Sequence, residues 1–286
     1  MTSAEMPSAR ELLQEGIWRL EQDACPSPRA EAEWLLSHLL GMKPLDLYLE
    51  DRDVSGHTTR QFLECLAARI RGAPLQYLLG ESEFYGQPFM VAPGVFIPRP
   101  ETEAVVEAAL CVLRQMAART TRPLRLLELG VGSGCIAVTL ARQLSACAVV
   151  GVELSWEALR IAQANVGRYG LGSRVRLIQG SWMQPLRGVF DAIISNPPYI
   201  PRTQVDRLPL DVRQEPRLAL DGGEDGVEAL HELLACAPAH LAPGGLVVVE
   251  CGETQAAFKI FGGRYAGKGP GTFNKENPTV VIDEWR

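Results

Sequence analysis

The residues that most directly suggest chemistry are Ser195-Asn196-Pro197-Pro198-Tyr199, which end a short apolar run beginning at Phe190. A proline pushes the residue before it toward an extended backbone and has no N–H to donate, so Asn196 is extended and the two prolines contribute only carbonyls. The loop is therefore rich in acceptors. A planar NH₂ group is a poor nucleophile because its lone pair is delocalised. If the Asn196 side-chain oxygen and the Pro197 carbonyl each take one of its N–H groups, the nitrogen is aimed at an electrophilic methyl, and the positive charge developing on it is stabilised. Tyr199 can stack on the same planar group and favour a cationic centre. Asn196, Pro197 and Tyr199 are thus the candidate catalytic residues, and Asn196, Pro197, Pro198 and Tyr199 the candidate substrate-binding set. The competing reading is an ordinary Pro-Pro turn after a strand.

A second cluster, Glu128-Leu129-Gly130-Val131-Gly132-Ser133-Gly134, lies where an apolar run turns into a helical pattern. Glycines there let the backbone approach a ligand in conformations that a Cβ forbids. A dinucleotide fingerprint needs G-x-G-x-x-G, but position 135 is Cys135 and the spacing is G-x-G-x-G. This tighter loop suits S-adenosylmethionine, which has no pyrophosphate to cradle, and it argues against an NAD oxidoreductase. Glu153 follows 23 positions after Gly130 at the end of the next apolar run, where its carboxylate can accept from both ribose hydroxyls of an adenosyl group. Ser181 and Trp182 follow the third run, where a polar group and an aromatic can flank an adenine ring. A ligand-free glycine turn, a solvated strand-end charge and a core tryptophan are the respective competing readings.

To hold these loops at one edge, the elements from Leu124 onward must alternate. Leu124–Leu129, Ala148–Glu153, Arg174–Ile178, Phe190–Ser195 and Leu246–Cys251 read as strands. Gly134–Leu144, Ser155–Tyr169 and Gly226–Leu241 read as helices. Such alternation predicts a largely parallel sheet with helices on both faces and ligands at the carboxyl ends of the strands. Upstream, Ser8 to about Arg71 reads as short helices, with Leu12, Leu13, Ile17 and Leu20 at helical spacing and Gly41 and Pro44 closing a second helix. After Pro74 the alternation through Leu75, Tyr77 and Leu79 to Phe89 suggests a hairpin. The expected division is a helical substrate-recognition domain at 1–73, a hairpin linker at 74–93 and an α/β domain at 94–286.

The 286 residues are 47% hydrophobic and 22% charged, as in ordinary globular proteins. A net charge of −6 argues against a protein that grips nucleic acid through many phosphates. The seven cysteines are widely spaced with no C-x-x-C pair, and the four histidines show no ligand spacing, so reduced thiols and no metal site are expected. The first ten residues carry no signal-like pattern, and no apolar run approaches the roughly 18 residues of a membrane helix. A cytoplasmic protein without membrane association, monomeric by default, is the expectation.

With these motifs in place, the chain resembles the protein N5-glutamine methyltransferases that modify release factors. The resemblance is carried by Pro74-Leu75-Gln76-Tyr77-Leu78-Leu79-Gly80, Phe96-Ile97-Pro98-Arg99-Pro100-Glu101-Thr102-Glu103, the glycine loop, Ser195 to Tyr199 and Asp221-Gly222-Gly223. N-P-P-Y alone is shared with adenine methyltransferases of DNA and RNA, and the two earlier segments point to the glutamine enzymes. The resemblance implies an S-adenosylmethionine-dependent, Rossmann-like methyltransferase sheet with a small N-terminal helical domain that docks the release factor. By it, Gly130, Val131, Gly132, Ser133, Gly134, Glu153, Trp182 and Asn196 contact S-adenosylmethionine, and Asn196 to Tyr199 hold the glutamine amide of the factor's Gly-Gly-Gln loop. A ribosomal-protein glutamine, adenine N6 of a nucleic acid, and a non-catalytic binding role stay open as alternatives. The family pattern is expected to fail at 257–286, where Gly262, Gly263, Gly267, Gly269, Pro270 and Gly271 replace a helix and hairpin, leaving Thr279–Ile282 as a strand.

Overall fold

The computed structural model describes residues 6–23, 25–252, 255 and 279–284. They fall into two compact units. One is Met1–Glu81 together with Pro209–Gln214, and the other is Ser82–Leu208 with Glu215–Arg286.

The N-terminal unit is built from α1 (Ala9–Gln22), α2 (Pro28–Leu40), α3 (Asp46–Leu49), α4 (Gly56–Ile70) and α5 (Leu75–Leu79). Ser8 starts α1 with a capping box: its hydroxyl accepts the Glu11 N–H, and the Glu11 carboxylate accepts the Ser8 N–H. Gly41, at φ 64°, ends α2 in the left-handed conformation. The apolar faces of these helices bury Leu13, Leu20, Leu35, Leu36, Phe62 and Leu66 in one core. A Cβ on Gly16 of α1 would stand 2.6 Å from the Phe62 ring, so the closeness of α1 and α4 depends on that glycine. The alternating apolar stretch after Pro74 is not extended. The Pro74 carbonyl accepts the N–H groups of Tyr77 and Leu78, and Gly80, at φ 75°, stops the resulting helical turn.

The hairpin begins only at β1 (Glu81–Phe84) and returns as β2 (Gln87–Met90). Its turn residues Tyr85 and Gly86 have φ of 54° and 66°, the sign that a two-residue primed turn needs. The carboxylate of Glu103 accepts the Tyr85 N–H at 2.7 Å and offsets part of the strain.

The second unit continues through α6 (Glu103–Ala118), β3 (Leu124–Leu129), α7 (Cys135–Gln143), β4 (Cys147–Glu153), α8 (Trp156–Arg168), β5 (Val175–Gln179), β6 (Phe190–Ser195) and α9 (Arg202–Val205). The short α10 (Leu210–Arg213) falls in the segment grouped with the N-terminal unit, and α11 (Glu228–Cys236), β7 (Leu241–Cys251) and β8 (Thr279–Glu284) complete the order. The sheet runs β5-β4-β3-β6-β7-β8, with the first five strands parallel and β8 antiparallel to β7. Strand residues alternate between two cores. Leu126, Ala192, Ile194, Leu246 and Val248 pack toward α6 and α7, while Leu127, Leu129, Ile193, Val247 and Val249 pack with Leu230 and Leu233 of α11. Helix α6 was not anticipated, although Val105, Val106, Ala109, Leu110 and Leu113 form its buried stripe. The tail strand expected at Thr279–Ile282 is the core of β8, whereas the glycine-rich stretch from Gly262 to Gly271 lies outside the described residues.

Strand order reverses at β3: the chain moves outward through β4 and β5, then returns to pair β6 on the other side of β3. Loops leaving β3 and β6 therefore diverge and open a crevice at their carboxyl ends.

Candidate active site

Both motif loops flank this crevice. Gly130 and Gly132 turn the chain out of β3 at φ 71° and 56°, conformations that side chains resist, and an added Cβ at Gly130 would come within 3.9 Å of the Asn196 carbonyl. At the adjoining strand end, the buried Ser195 hydroxyl donates to the Leu129 carbonyl at 2.8 Å and ties β6 to β3. Asn165 of α8, fully buried, donates to the carbonyls of Ser133 and Met90 and accepts the Met90 N–H, so the glycine loop is braced against the hairpin.

One cavity collects the sequence-predicted residues. Gly130, Val131, Gly132 and Ser133 line it, as do Glu153, Ser181 and Trp182 on one side and Asn196, Pro197, Pro198 and Tyr199 on the other. Gly134 is not on its wall. At φ 83° it begins α7, where a Cβ would lie 3.3 Å from that of Ala162. Glu153 is buried and already receives two backbone donors, Gly132 N–H at 2.8 Å and Ser155 N–H at 2.9 Å, one on each oxygen. Each oxygen keeps a further lone pair. Trp182 adopts φ 47°, a strained conformation for a bulky residue, which holds its backbone at the cavity edge while its side chain packs on the core that includes Met183 and Leu127. Phe96, Pro98, Leu218 and Leu220 add an apolar stretch to the cavity wall.

Four further residues take roles that the sequence motifs did not assign. Glu128, ending on β3 under the glycine loop, is 1% exposed, and its Oε2 has no hydrogen-bond partner among the described residues. Burial pushes its carboxyl well above the usual range, the Ala137 N–H opposes this, and the Glu153 charge adds to the rise. An orphaned buried acceptor beside a cavity is a place for a cationic or donating ligand group. Thr102, 3% exposed, accepts the Asn196 Nδ2–H at 3.0 Å, which leaves Asn196 Oδ1 as the end of the amide available to the cavity. Glu250, at the end of β7, accepts the Tyr199 hydroxyl at 3.1 Å. Burial and the Glu250 charge both raise the Tyr199 pKa, so the phenol stays protonated. Glu215 accepts the Ile97 N–H at 2.9 Å and pairs with Arg99, whose guanidinium lies 5.1 Å above the Phe96 ring. The segment Phe96 to Thr102 is thereby fixed beside Asn196.

Two further supports act on the backbone of the Asn-Pro-Pro-Tyr loop. Ile200 and Asp221 form a parallel bridge, with Gly222 N–H donating to the Ile200 carbonyl at 2.9 Å. A Cβ at Gly222 would fall 2.7 Å from the Pro198 carbonyl and 2.8 Å from the Tyr199 Cα. From the far side, the Gln255 amide donates to the carbonyls of Tyr199 at 2.8 Å and Gly226 at 3.0 Å. Among the described residues no cluster of metal-ligating side chains occurs, and no helix is long and apolar enough to cross a membrane.

Comparison with known proteins agrees with this architecture. The family model described as the PrmC N-terminal domain matches residues 11–80, and that of the methyltransferase small domain matches residues 88–209. The release factor glutamine methyltransferase of Geobacter sulfurreducens is 44% identical over 240 residues, 83% of this chain and 81% of that protein. The protein of the same name from Moorella thermoacetica is 42% identical over 248 residues, 86% of each. Two solved structures share the fold. The hMettl16 catalytic domain, in complex with an RNA hairpin of the MAT2A 3′UTR, has a TM-score of 0.54 at 12% identity, covering 83% of this chain and 85% of that one. The T. thermophilus 16S rRNA N2 G1207 methyltransferase, in complex with AdoMet and guanosine, has a TM-score of 0.50 at 20% identity, covering 72% and 50%.

Proposed function

The chain belongs to the release factor glutamine methyltransferase family, and from that premise we propose that it moves the methyl of S-adenosylmethionine to N5 of the glutamine in a release factor's Gly-Gly-Gln loop. The observation that carries the reading is the fixed Asn196 amide. With Nδ2 donating to Thr102, its Oδ1 is presented beside the glycine loop as an acceptor for an incoming N–H.

The residues present fit the cofactor. Glu153 keeps lone pairs for two ribose hydroxyls, the glycine loop removes the side chains that would crowd the methionyl portion, and the orphaned Glu128 oxygen suits an ammonium group. When bound, S-adenosylmethionine supplies a sulfonium-activated methyl. The rest is the work of this chain. Asn196 Oδ1 and the Pro197 carbonyl each accept one N–H of the glutamine amide, turning the nitrogen toward the methyl and stabilising its developing positive charge. The Tyr199 ring, with its hydroxyl anchored on Glu250, supplies a face for the planar amide. The apolar stretch of Phe96, Pro98, Leu218 and Leu220 adds no polar group that would compete for these acceptors. No base is needed before transfer, and the surplus proton leaves to solvent afterwards.

A release-factor substrate would be met during translation in the cytoplasm, with the helical unit docking the factor. Transfer of labelled methyl to a purified release factor tests the reading, with a Gln→Ala variant of its Gly-Gly-Gln loop and a short DNA duplex as parallel acceptors. Label only on the factor with its glutamine intact is the expected result. Label on DNA would overturn it in favour of an adenine-amino enzyme.

A further inference from the structure

The loop that presents the acceptor groups is poor in donors of its own. Pro197, Pro198 and Pro201 lack an N–H, and Ile200 gives its N–H to the Leu220 carbonyl. Such a loop depends on other segments to donate to its carbonyls. Gly222 does so for Ile200 through its backbone, and Gln255 does so for Tyr199 through its side chain, at 2.8 Å.

Gln255 is 5% exposed, and its amide bonds to backbone groups at both ends. Oε1 accepts the Gly252 N–H at 2.9 Å, while Nε2 donates to the Tyr199 carbonyl and, at 3.0 Å, to the Gly226 carbonyl. A backbone N–H can only donate and a carbonyl can only accept, so these partners fix which end of the amide points where. One side chain thus joins the residue after β7, the Asn-Pro-Pro-Tyr loop and the turn before α11. The junction is crowded: a Cβ on Gly226, at φ 78°, would stand 2.4 Å from the Tyr199 carbonyl oxygen and 2.8 Å from Gln255 Nε2. Two carbonyls converge on a single nitrogen there. Without its hydrogens both are left as close, unpaired acceptors whose like partial charges repel, and the Tyr199 peptide is driven from its place.

We propose that Gln255 is a positioning residue for the methyl acceptor: by holding the Tyr199 carbonyl, its amide sets where the Tyr199 ring and the Pro197 carbonyl stand in the cavity. Pro197, Pro198 and Tyr199 line that cavity, and Gln255 is not among its lining residues, so it acts through the loop and not on the substrate itself. This inference rests on the amide-methylating reading above.

The test is Gln255→Met, which keeps the length and volume of the side chain and removes its donors, beside Gln255→Glu, which is isosteric. Gln255→Met is expected to lower kcat by roughly 100-fold, the scale of a misplaced reacting group. Its affinity for S-adenosylmethionine, measured by calorimetry, stays within about threefold, since Glu153 and the glycine loop keep their own hydrogen bonds. In Gln255→Glu a carboxyl faces two carbonyls, which favour its protonated form and raise its pKa. Protonation restores one donor, so the kcat deficit relative to the unaltered protein shrinks as pH falls, whereas that of Gln255→Met does not vary with pH. Gly226→Ala acts at the same junction, and the double variant Gln255→Met/Gly226→Ala is no worse than the poorer single one. A readout independent of activity is hydrogen exchange at the Ile200 and Gly222 amides, which quickens roughly tenfold in Gln255→Met while that of Gly132 is unchanged. A Gln255→Met kcat within about threefold of the starting value would make the residue a space filler and overturn the proposal. A Gln255→Glu deficit that ignores pH, or a loss of cofactor affinity matching the loss in kcat, would overturn it too. An unaltered protein that leaves the release factor unlabelled, but whose Ile200 and Gly222 amides lose protection in Gln255→Met, sinks the substrate assignment and leaves the hold on the loop standing.

Discussion

At the scale of single residues, the site depends on backbone proximity as much as on functional groups. Gly222 approaches Pro198 and Tyr199 so closely that an added methyl has no room. Gly222→Ala should therefore displace the acceptor loop and lower kcat/KM by roughly 100-fold, with cofactor affinity measured by calorimetry little changed, since Glu153 and the glycine loop stand apart from the bridge. Glu153→Ala should do the reverse. Loss of acceptors for two ribose hydroxyls weakens S-adenosylmethionine binding by roughly 10- to 100-fold, at about 1.5 to 3 kcal/mol for hydrogen bonds to a charged group, and an unchanged dissociation constant would move the ribose elsewhere. Asn196, Tyr199 and the glycines could be found in the sequence because their chemistry is concentrated in short motifs. Thr102, Glu250 and Gln255 could not. They meet Asn196 and Tyr199 across separations of 94, 51 and 56 residues, and neither a threonine within a motif nor a strand-end glutamate carries a local mark of its partner.

Among the elements, β3 and β6 are held in register by more than their ladder. Arg122 forks onto Asp191 at 2.6 and 2.7 Å, and the Arg125 N–H adds a third bond at 2.8 Å. Burial works to raise the Asp191 pKa, but these donors together with the charge of Arg125 outweigh it and hold the carboxyl below its usual value. A depressed folded-state pKa contributes stability that is fully present above the unfolded value, near about 3.9, and lost as pH falls through the folded one. Asp191→Asn should accordingly lower the urea midpoint at pH 7, and the gap from the unaltered protein should narrow on acidification below about pH 4. A gap that is independent of pH would assign the loss to packing instead. The strands themselves were easy to read, since β3 and β6 are apolar runs bounded by proline, glycine or polar residues. Helix α5 was not, because five residues with apolar positions at every second place fit a strand or a single helical turn equally well, and only the Pro74 and Gly80 backbone decides between them.

For the molecule as a whole, the two-unit division separates a helical body from the methyl-transfer body, but the chain does not keep them in sequence. Pro209–Gln214 returns to the helical unit, where Asp211 reaches Arg69 at 3.3 Å and Arg69 pairs with the buried Glu31. Arg69→Ala should cost roughly 3 kcal/mol in denaturant unfolding, because Glu31 is left buried without its partner. Asp211→Asn should cost under about 1 kcal/mol, as Asp211 is itself partly exposed. Equal losses in the two variants would mean that the triad acts as one unit. No composition shift or linker marks this return, so the sequence offered only a simple division into successive parts.

The same return has a consequence for inheritance. A unit made of one continuous stretch can be exchanged between genes by a single pair of breakpoints, whereas here a transplanted Met1–Glu81 would arrive without the hexapeptide that completes it. Recombination that imports a foreign helical unit must also import, or already find, a matching Asp211 between Leu208 and Glu215. If the helical unit docks the release factor as proposed, partner preference in such chimaeras would be inherited from two places in the gene, and the shorter of them lies between the two stretches of the other unit.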